Sequence, residues 1–254
     1  MIEVDRVGRS FTVGRRRART TVHAVRDLSF TVEAGEFVGY LGPNGAGKST
    51  TIKMLTGILA PTSGRIQVAG LDPTRRRTAL ARRIGVVFGQ RTTLWWDLPL
   101  RDSFTLVRHL YKVDRVVFHR RLEELSDLLG LAEFMNTPVR QLSLGQRMRG
   151  DITAALLHDP AVLVLDEPTI GLDVVSKAAM REFLRLLNAD RGTTVLLTTH
   201  DLGDIEKLCR RVMVIDHGSL TFDGTLDDLR ATAPGEDSIE DVVARLYTGR
   251  STPL

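Results

Sequence analysis

The sequence predicts an α/β fold: a parallel-stranded core carrying an inserted α-helical subdomain, with an antiparallel β subdomain at its N-terminus. Three observations predict it. Short apolar runs bounded by turn residues alternate with helix-spaced segments, both early and late in the chain. Between about Gln90 and His158 that alternation stops and only helical spacing remains. Ahead of both, from Met1 to about Phe30, the residues alternate as strands do, with basic, turn-like material in the middle.

Taken in order, two antiparallel strands are expected near Ile2–Val7 and Val22–Phe30, joined by a loop holding Arg15, Arg16 and Arg17. Phe37–Leu41 is a short apolar strand running into a glycine-rich turn. A helical pattern starts at Lys48 and continues through Leu59, until Pro61 stops it. Arg65–Ala69 and Ile84–Phe88 are further strands. Inside the insert, Ser103–Tyr111 and Val117–Leu129 have helical spacing. Strands return at Val162–Leu165, Val195–Thr198 and Val212–Ile215, alternating with helices at Ser176–Asn188 and Leu202–Cys209. A tail from about Ala231 ends in a short amphipathic stretch, Ile239–Tyr247.

At 254 residues, 43% hydrophobic and 26% charged, the composition is that of a globular domain with a sizeable core. A net charge of +4 is small for a nucleic-acid binder, so no nucleic-acid partner is expected. The runs Arg15–Arg17 and Arg75–Arg77 fit either contact with phosphate or an anionic membrane, or plain solvated loops. Cys209 is the single cysteine, which rules out an intrachain disulfide and fits a reducing cytosolic location. Acids and bases stand where a signal peptide has its apolar stretch, and no run reaches about 18 apolar residues. The chain is not expected to cross a membrane by itself.

Gly42-Pro43-Asn44-Gly45-Ala46-Gly47-Lys48-Ser49 fits G-x-x-x-x-G-K-[ST] in full, with an apolar strand before it and a helix after it. Glycines let successive N–H groups face inward as an anion nest, and the helix adds the positive end of its dipole. Lys48 is placed to reach the β- and γ-phosphates of ATP, and the Ser49 hydroxyl to ligate Mg²⁺. Val162–Leu165 then delivers two carboxylates at a strand end, where α/β sheets place ligands. Asp166 suits the Mg²⁺ shell, and Glu167 is placed to polarise the water that attacks the γ-phosphorus.

Such a pair still fits kinases, GTPases, helicases and transporters. The discriminating residues are Leu142-Ser143-Leu144-Gly145-Gln146, Gln90 after a strand, Gly171-Leu172-Asp173, and His200 after Thr198-Thr199. In this order the set resembles the ABC ATPase family, over nearly the whole chain to about Leu229. The resemblance implies a P-loop NTPase (RecA-like) core as one domain over 1–230, with the helical subdomain at about 90–158, and a short tail over 231–254. It implies that Ser143, Leu144, Gly145 and Gln146 form the signature segment, which meets the γ-phosphate held by a second subunit's P-loop. Gln90 would sense Mg²⁺ and the attacking water, Asp173 would lie at the subunit boundary, and His200 would contact the γ-phosphate and hold Glu167 and its water. Phe11 occupies the place of the aromatic residue that stacks on adenine, with core packing as the alternative. Thr50 completes the ATP-binding loop.

One departure stands out. The commonest signature has glycine where Leu144 stands, and a positive φ there would cost leucine about 1 kcal/mol or more. The backbone N–H survives the change, so the resemblance implies a subfamily variant and not an inactive enzyme. Phe88–Pro99, Leu142–Gly150 and Asp166–Val175 look like a bacterial subgroup whose partners resemble type-two ABC export permeases. The implied partners are integral membrane permease subunits at the cytoplasmic face of the membrane and a second ATPase subunit, a homodimer. Trp95 and Trp96 would form an anchor for the permease or pack inside the helical subdomain. A soluble ABC ATPase working on ribosomes or DNA shares the motifs, and a regulatory subunit without turnover is a third reading.

Overall fold

A computed structural model of the chain describes residues 1–14, 19–89, 91–232 and 238–248. The N-terminal elements are β1 (Ile2–Val13), β2 (Thr20–Val32), β3 (Phe37–Leu41), α1 (Lys48–Leu55), β4 (Ser63–Val68), α2 (Arg77–Ala81) and β5 (Ile84–Phe88). Helices α3 (Leu100–Tyr111), α4 (Arg115–Leu129) and α5 (Leu144–Leu156) follow, with two 3-10 turns at Ala132–Phe134 and Val139–Gln141. The chain continues through β6 (Val162–Asp166), α6 (Val174–Arg191), β7 (Thr194–Thr198), α7 (Leu202–Leu208), β8 (Arg211–Asp216), β9 (Ser219–Thr225), α8 (Leu226–Ala231) and α9 (Ile239–Thr248). It divides into two compact units. One holds Met1–Glu33, Phe37–Leu80 and Leu196–Leu254; the other holds Ala34–Glu36 and Ala81–Val195.

In the first unit β1 pairs antiparallel with both β2 and β4, setting Ile2 opposite Val32 and Val68. Both N-terminal strands run beyond their sequence-predicted ends, because register shifts between Val4 and Ser10 let β1 bend and keep pairing. Ile2, Val4, Leu28, Phe30 and Ile66 point into one apolar layer. Elsewhere in the unit β3 pairs parallel with β8, and β9 adds antiparallel to β8. All five residues of β3 are buried, as expected of a strand covered on both faces. At Gly39 an added Cβ would sit 2.8 Å from Ile205 Cδ1 and 3.3 Å from Cys209 Sγ, so α7 packs directly on the strand backbone. Burial pushes the titration of the Tyr40 phenol and the Cys209 thiol up.

Helix α1 ends at Leu55, four residues short of its expected end at Leu59. The reason is Gly57, whose φ of +73° turns the chain out of the helix before Pro61 is reached.

In the second unit β5 and β6 pair parallel, from Ile84–Val162 to Phe88–Asp166. Between these two strands the described residues form helices, turns and isolated bridges such as Pro99–Pro138, and no further strand. Asp114 caps α4 by accepting from Val116 N at 2.9 Å and Val117 N at 3.1 Å, and Gly130 (φ +59°) closes it. Arg121 pairs with Asp159 at 2.6 Å, and Arg191 pairs with Glu124.

His158 lies against this unit's core, stacked on Tyr111 with ring centroids 4.0 Å apart. Its Nε2 donates to Ile84 O at 2.9 Å, while Nδ1 is buried without a hydrogen-bond partner. Burial therefore holds its titration below the usual histidine value. The fold favours neutral imidazole, whereas the unfolded chain takes up a proton below about pH 6.5. This contribution to stability is complete above that pH and is lost as pH falls through it. Thermal melts from pH 7.5 to 5.5 should show a decline that His158→Gln reduces; equal declines in both proteins would remove this assignment.

Candidate functional site

The Gly42–Ser49 loop lies in the first unit, where β3 ends at Leu41 and α1 begins at Lys48. Gly45 and Gly47 have φ of +85° and +109°, a region costly for residues with a Cβ. A Cβ on Gly47 would stand 2.5 Å from Ala24 O, and one on Gly42 would stand 2.5 Å from Ile215 O. The loop is thus threaded between neighbouring strands where only glycine fits. At Gly45 a Cβ would meet nothing within 4 Å, so the outer side of the loop is open. Gly47 caps α1 without a side-chain hydrogen bond, and the first turn holds no acidic residue. Nothing anionic in the sequence competes there for a phosphate at the helix N-terminus.

Lys48 is 8% exposed, and its ammonium folds back to donate to Gly42 O and, at 3.2 Å, to Pro43 O. Asn44, Gly45 and Ser49 are exposed; Pro43 and Thr50 are half-buried and Ala46 is buried. Phe11, half-buried on β1 opposite Val22, carries the Arg9 guanidinium 4.6 Å from its ring centroid. His200 is exposed just past the end of β7. Its loop is pinned by Thr199, whose hydroxyl accepts from Asp201 N at 3.0 Å and donates to the buried Asp204 at 3.4 Å.

Asp166 and Glu167 lie in the second unit. Asp166 is the last residue of β6, and Glu167 follows it, half-buried, with φ of +57°. A glutamate in the left-handed region is strained by about 1 kcal/mol, and such strain gathers at functional positions. Tight turns hold this backbone, with Ile170 N donating to Glu167 O at 3.3 Å and Leu172 N to Thr169 O at 3.2 Å. Gly89, which the sequence did not single out, donates its N–H to Asp166 O at 2.6 Å. A Cβ on Gly89 would collide with the Glu167 carbonyl oxygen and lie 2.9 Å from its carbon. Gln90 lies outside the described residues.

The signature segment opens α5 in the same unit. Ser143 caps the helix, accepting from Gln146 N at 3.2 Å and donating its own N–H to Gln146 Oε1 at 2.9 Å. Leu144 is the first helical residue and does not have positive φ, so the cost weighed for leucine is absent. Its side chain lies over Gly171 (φ +70°), where a Cβ would be 2.6 Å from Leu144 Cδ2. Asp173 caps α6, accepting from Ser176 Oγ at 2.6 Å and Ser176 N at 2.9 Å, and these bonds hold its carboxyl below the usual range. Beside it Ile170, Val174 and Val175 are exposed, the valines at 83% and 78%.

No group of three or more His, Cys, Asp or Glu side chains gathers for a metal among the described residues. The Ser49 hydroxyl and the Asp166 carboxylate are oxygen donors of the kind Mg²⁺ takes.

A model of the ABC transporter family matches residues 25–170. The chain belongs to the ABC transporter family. Among relatives, the ABC transporter ATP-binding protein NatA of Bacillus subtilis is 36% identical over 233 residues, covering 92% of this chain and 94% of NatA. The Nod factor export ATP-binding protein I of Burkholderia lata is 41% identical over 217 residues, covering 85% and 70%. A solved ATP-binding subunit of an ABC transporter superposes with a TM-score of 0.85 at 28% identity, covering 96% of this chain and 98% of that one. A dimeric post-hydrolysis cassette bound to ADP and Pi gives a TM-score of 0.79 at 25% identity, covering 89% and 99%. This ABC protein is an ATP-binding subunit and an ATPase, built on the P-loop NTPase fold. Among its described residues no helix is long and apolar enough to cross a membrane.

Proposed function

We propose that two copies of this chain close head to tail on ATP and drive a separate integral membrane permease, in the direction of export, from the cytoplasmic face of the membrane. Gly42–Thr50 hold the phosphates, Lys48 neutralises charge on the β- and γ-phosphates, and Phe11 stacks on the base. The signature residues Ser143–Gln146 of the other copy present a helix N-terminus to the γ-phosphate. Ser49, Asp166 and Gln90 would hold Mg²⁺, which would offset the negative charge on the phosphate oxygens. Glu167 accepts a hydrogen bond from the attacking water, whose oxygen bonds to phosphorus as the bond to ADP breaks. His200 holds Glu167 and the water in line.

The observation that carries the dimer is the exposed Ile170, Val174 and Val175 group around Asp173, in the unit that also presents the capped α5 N-terminus. Apolar side chains so far out of the fold suit cover by a partner surface. The exposed Trp95 and Trp96 support a permease contact, and the Nod factor export named for the Burkholderia lata relative supports the direction. The test is to purify tagged Glu167→Gln protein from detergent-solubilised cells with MgATP. Recovery of a polytopic membrane protein supports the reading; ribosomes or DNA-repair proteins without one overturn it.

Gly89→Ala should displace the Glu167 backbone. A catalytic group moved by a fraction of an ångström costs about tenfold or more in kcat. Phosphate-release assays should show that loss with ATP binding retained; a wild-type rate would detach Gly89 from the site.

A further inference from the structure

Asp151 is a buried carboxylate with no part in the phosphate chemistry. It is 5% exposed, and its Oδ1 accepts from Thr92 Oγ1 at 2.9 Å, Thr93 N at 2.9 Å and Thr93 Oγ1 at 3.2 Å. A carboxylate is taken out of water at a cost, and three donors on one oxygen offset that cost only while the 92–93 backbone stays in place.

On α5, Arg147 lies one turn before Asp151 and also neighbours Gly150, at i,i+4 and i,i+3. The Arg147 guanidinium lies 5.7 Å from the Trp96 ring centroid. At Gly150 a Cβ would stand 3.0 Å from Leu94 Cδ1, so the buried Leu94 reaches the helix surface. Thr92, Thr93, Leu94 and Trp96 therefore all touch the helix whose N-terminus is the signature segment. The far end of the run is braced by Trp95 N donating to Ser103 Oγ at 3.2 Å and Arg140 N donating to Trp96 O at 2.9 Å. Two indoles remain exposed at the tip, at 37% and 49%.

We propose that Asp151 is a positioning residue that latches the Thr92–Trp96 run to the signature helix, so that the exposed indoles follow that helix when it moves. The inference rests on the permease reading for its purpose, because it makes the indoles the output of events at the helix N-terminus. The latch itself can be tested without a permease.

Trp95 and Trp96 are the two tryptophans of the chain, so its indole fluorescence reports on this run alone. In purified protein, Asp151→Ala should raise the acrylamide quenching constant about twofold, as expected when a loop loses its hydrogen-bonded anchor. MgATP should change the indole emission of wild type, and Asp151→Ala should remove that change. Asp151→Asn keeps an Oδ1 acceptor and should stay near wild type, which distinguishes the latch from general loss of packing. Should Asp151→Ala fail to fold, Thr92→Val/Thr93→Val withdraws two donors from the other side and should loosen the indoles in the same way. Quenching and MgATP response unchanged in both variants would overturn the latch. A normal latch with Trp95→Ala/Trp96→Ala still co-purifying the permease would instead overturn the anchor role of the indoles.

Discussion

Lys48→Ala should lower phosphate release at least about a hundredfold, or about 2.7 kcal/mol of transition-state stabilisation, and weaken ATP binding with it. The ammonium lies almost buried against the carbonyls of Gly42 and Pro43, so it is already positioned inside the loop proposed to take the phosphates. When phosphate enters, those carbonyl bonds are exchanged for bonds to anionic oxygens, which are stronger. Alanine removes the charge while favouring the first turn of α1, so the fold should survive the change. Calorimetric ATP binding and a phosphate-release assay check it together; hydrolysis at the wild-type rate would remove the loop from its assigned role.

Glu167→Gln should separate the two events. The amide has the carboxylate's shape but cannot serve as the acceptor that polarises water, so hydrolysis should fall about a hundredfold or more with ATP binding kept. Glutamine tolerates the left-handed backbone at this position no worse than glutamate, and the turns through Thr169 and Leu172 should persist. The trapped protein should run as a dimer in size-exclusion chromatography with MgATP and as a monomer without it. A monomer under both conditions would argue against closure on ATP.

The parts of the fold that the sequence showed are those with a local physical cause. Phe37–Leu41 and Ile84–Phe88 match their strands residue for residue, because short buried parallel strands are continuous apolar runs closed by glycine. Strand β9 went unread: Ser219–Thr225 is mostly polar and half exposed, and it is a strand because β8 offers it an edge. The short helices α2 and α8 were missed as well, too brief to show a period. At the site, the loop Gly42–Ser49 and the pair Asp166–Glu167 were legible from chemistry and spacing. Gly89 and Asp151 were not, since each matters through a neighbour distant in sequence: the Glu167 carbonyl for one, Thr92 and Thr93 for the other. At Leu144 the chain is already helical, so the position makes no demand for positive φ and leucine carries no backbone cost there.

The central claim, that each ATP is enclosed by the P-loop of one copy and the signature of the other, is tested most directly by complementation. Lys48→Ala disables one half of each site. Gly145→Asp disables the other by placing a carboxylate at the helix N-terminus, where a side chain has room because Ser176 Oγ lies 3.4 Å from the added Cβ. Each variant alone should be inactive. Mixed in equal amounts, half of the dimers pair unlike copies and carry one intact site, so phosphate release should recover to about a quarter of the wild-type rate. A mixture as inactive as its components would contradict the head-to-tail arrangement.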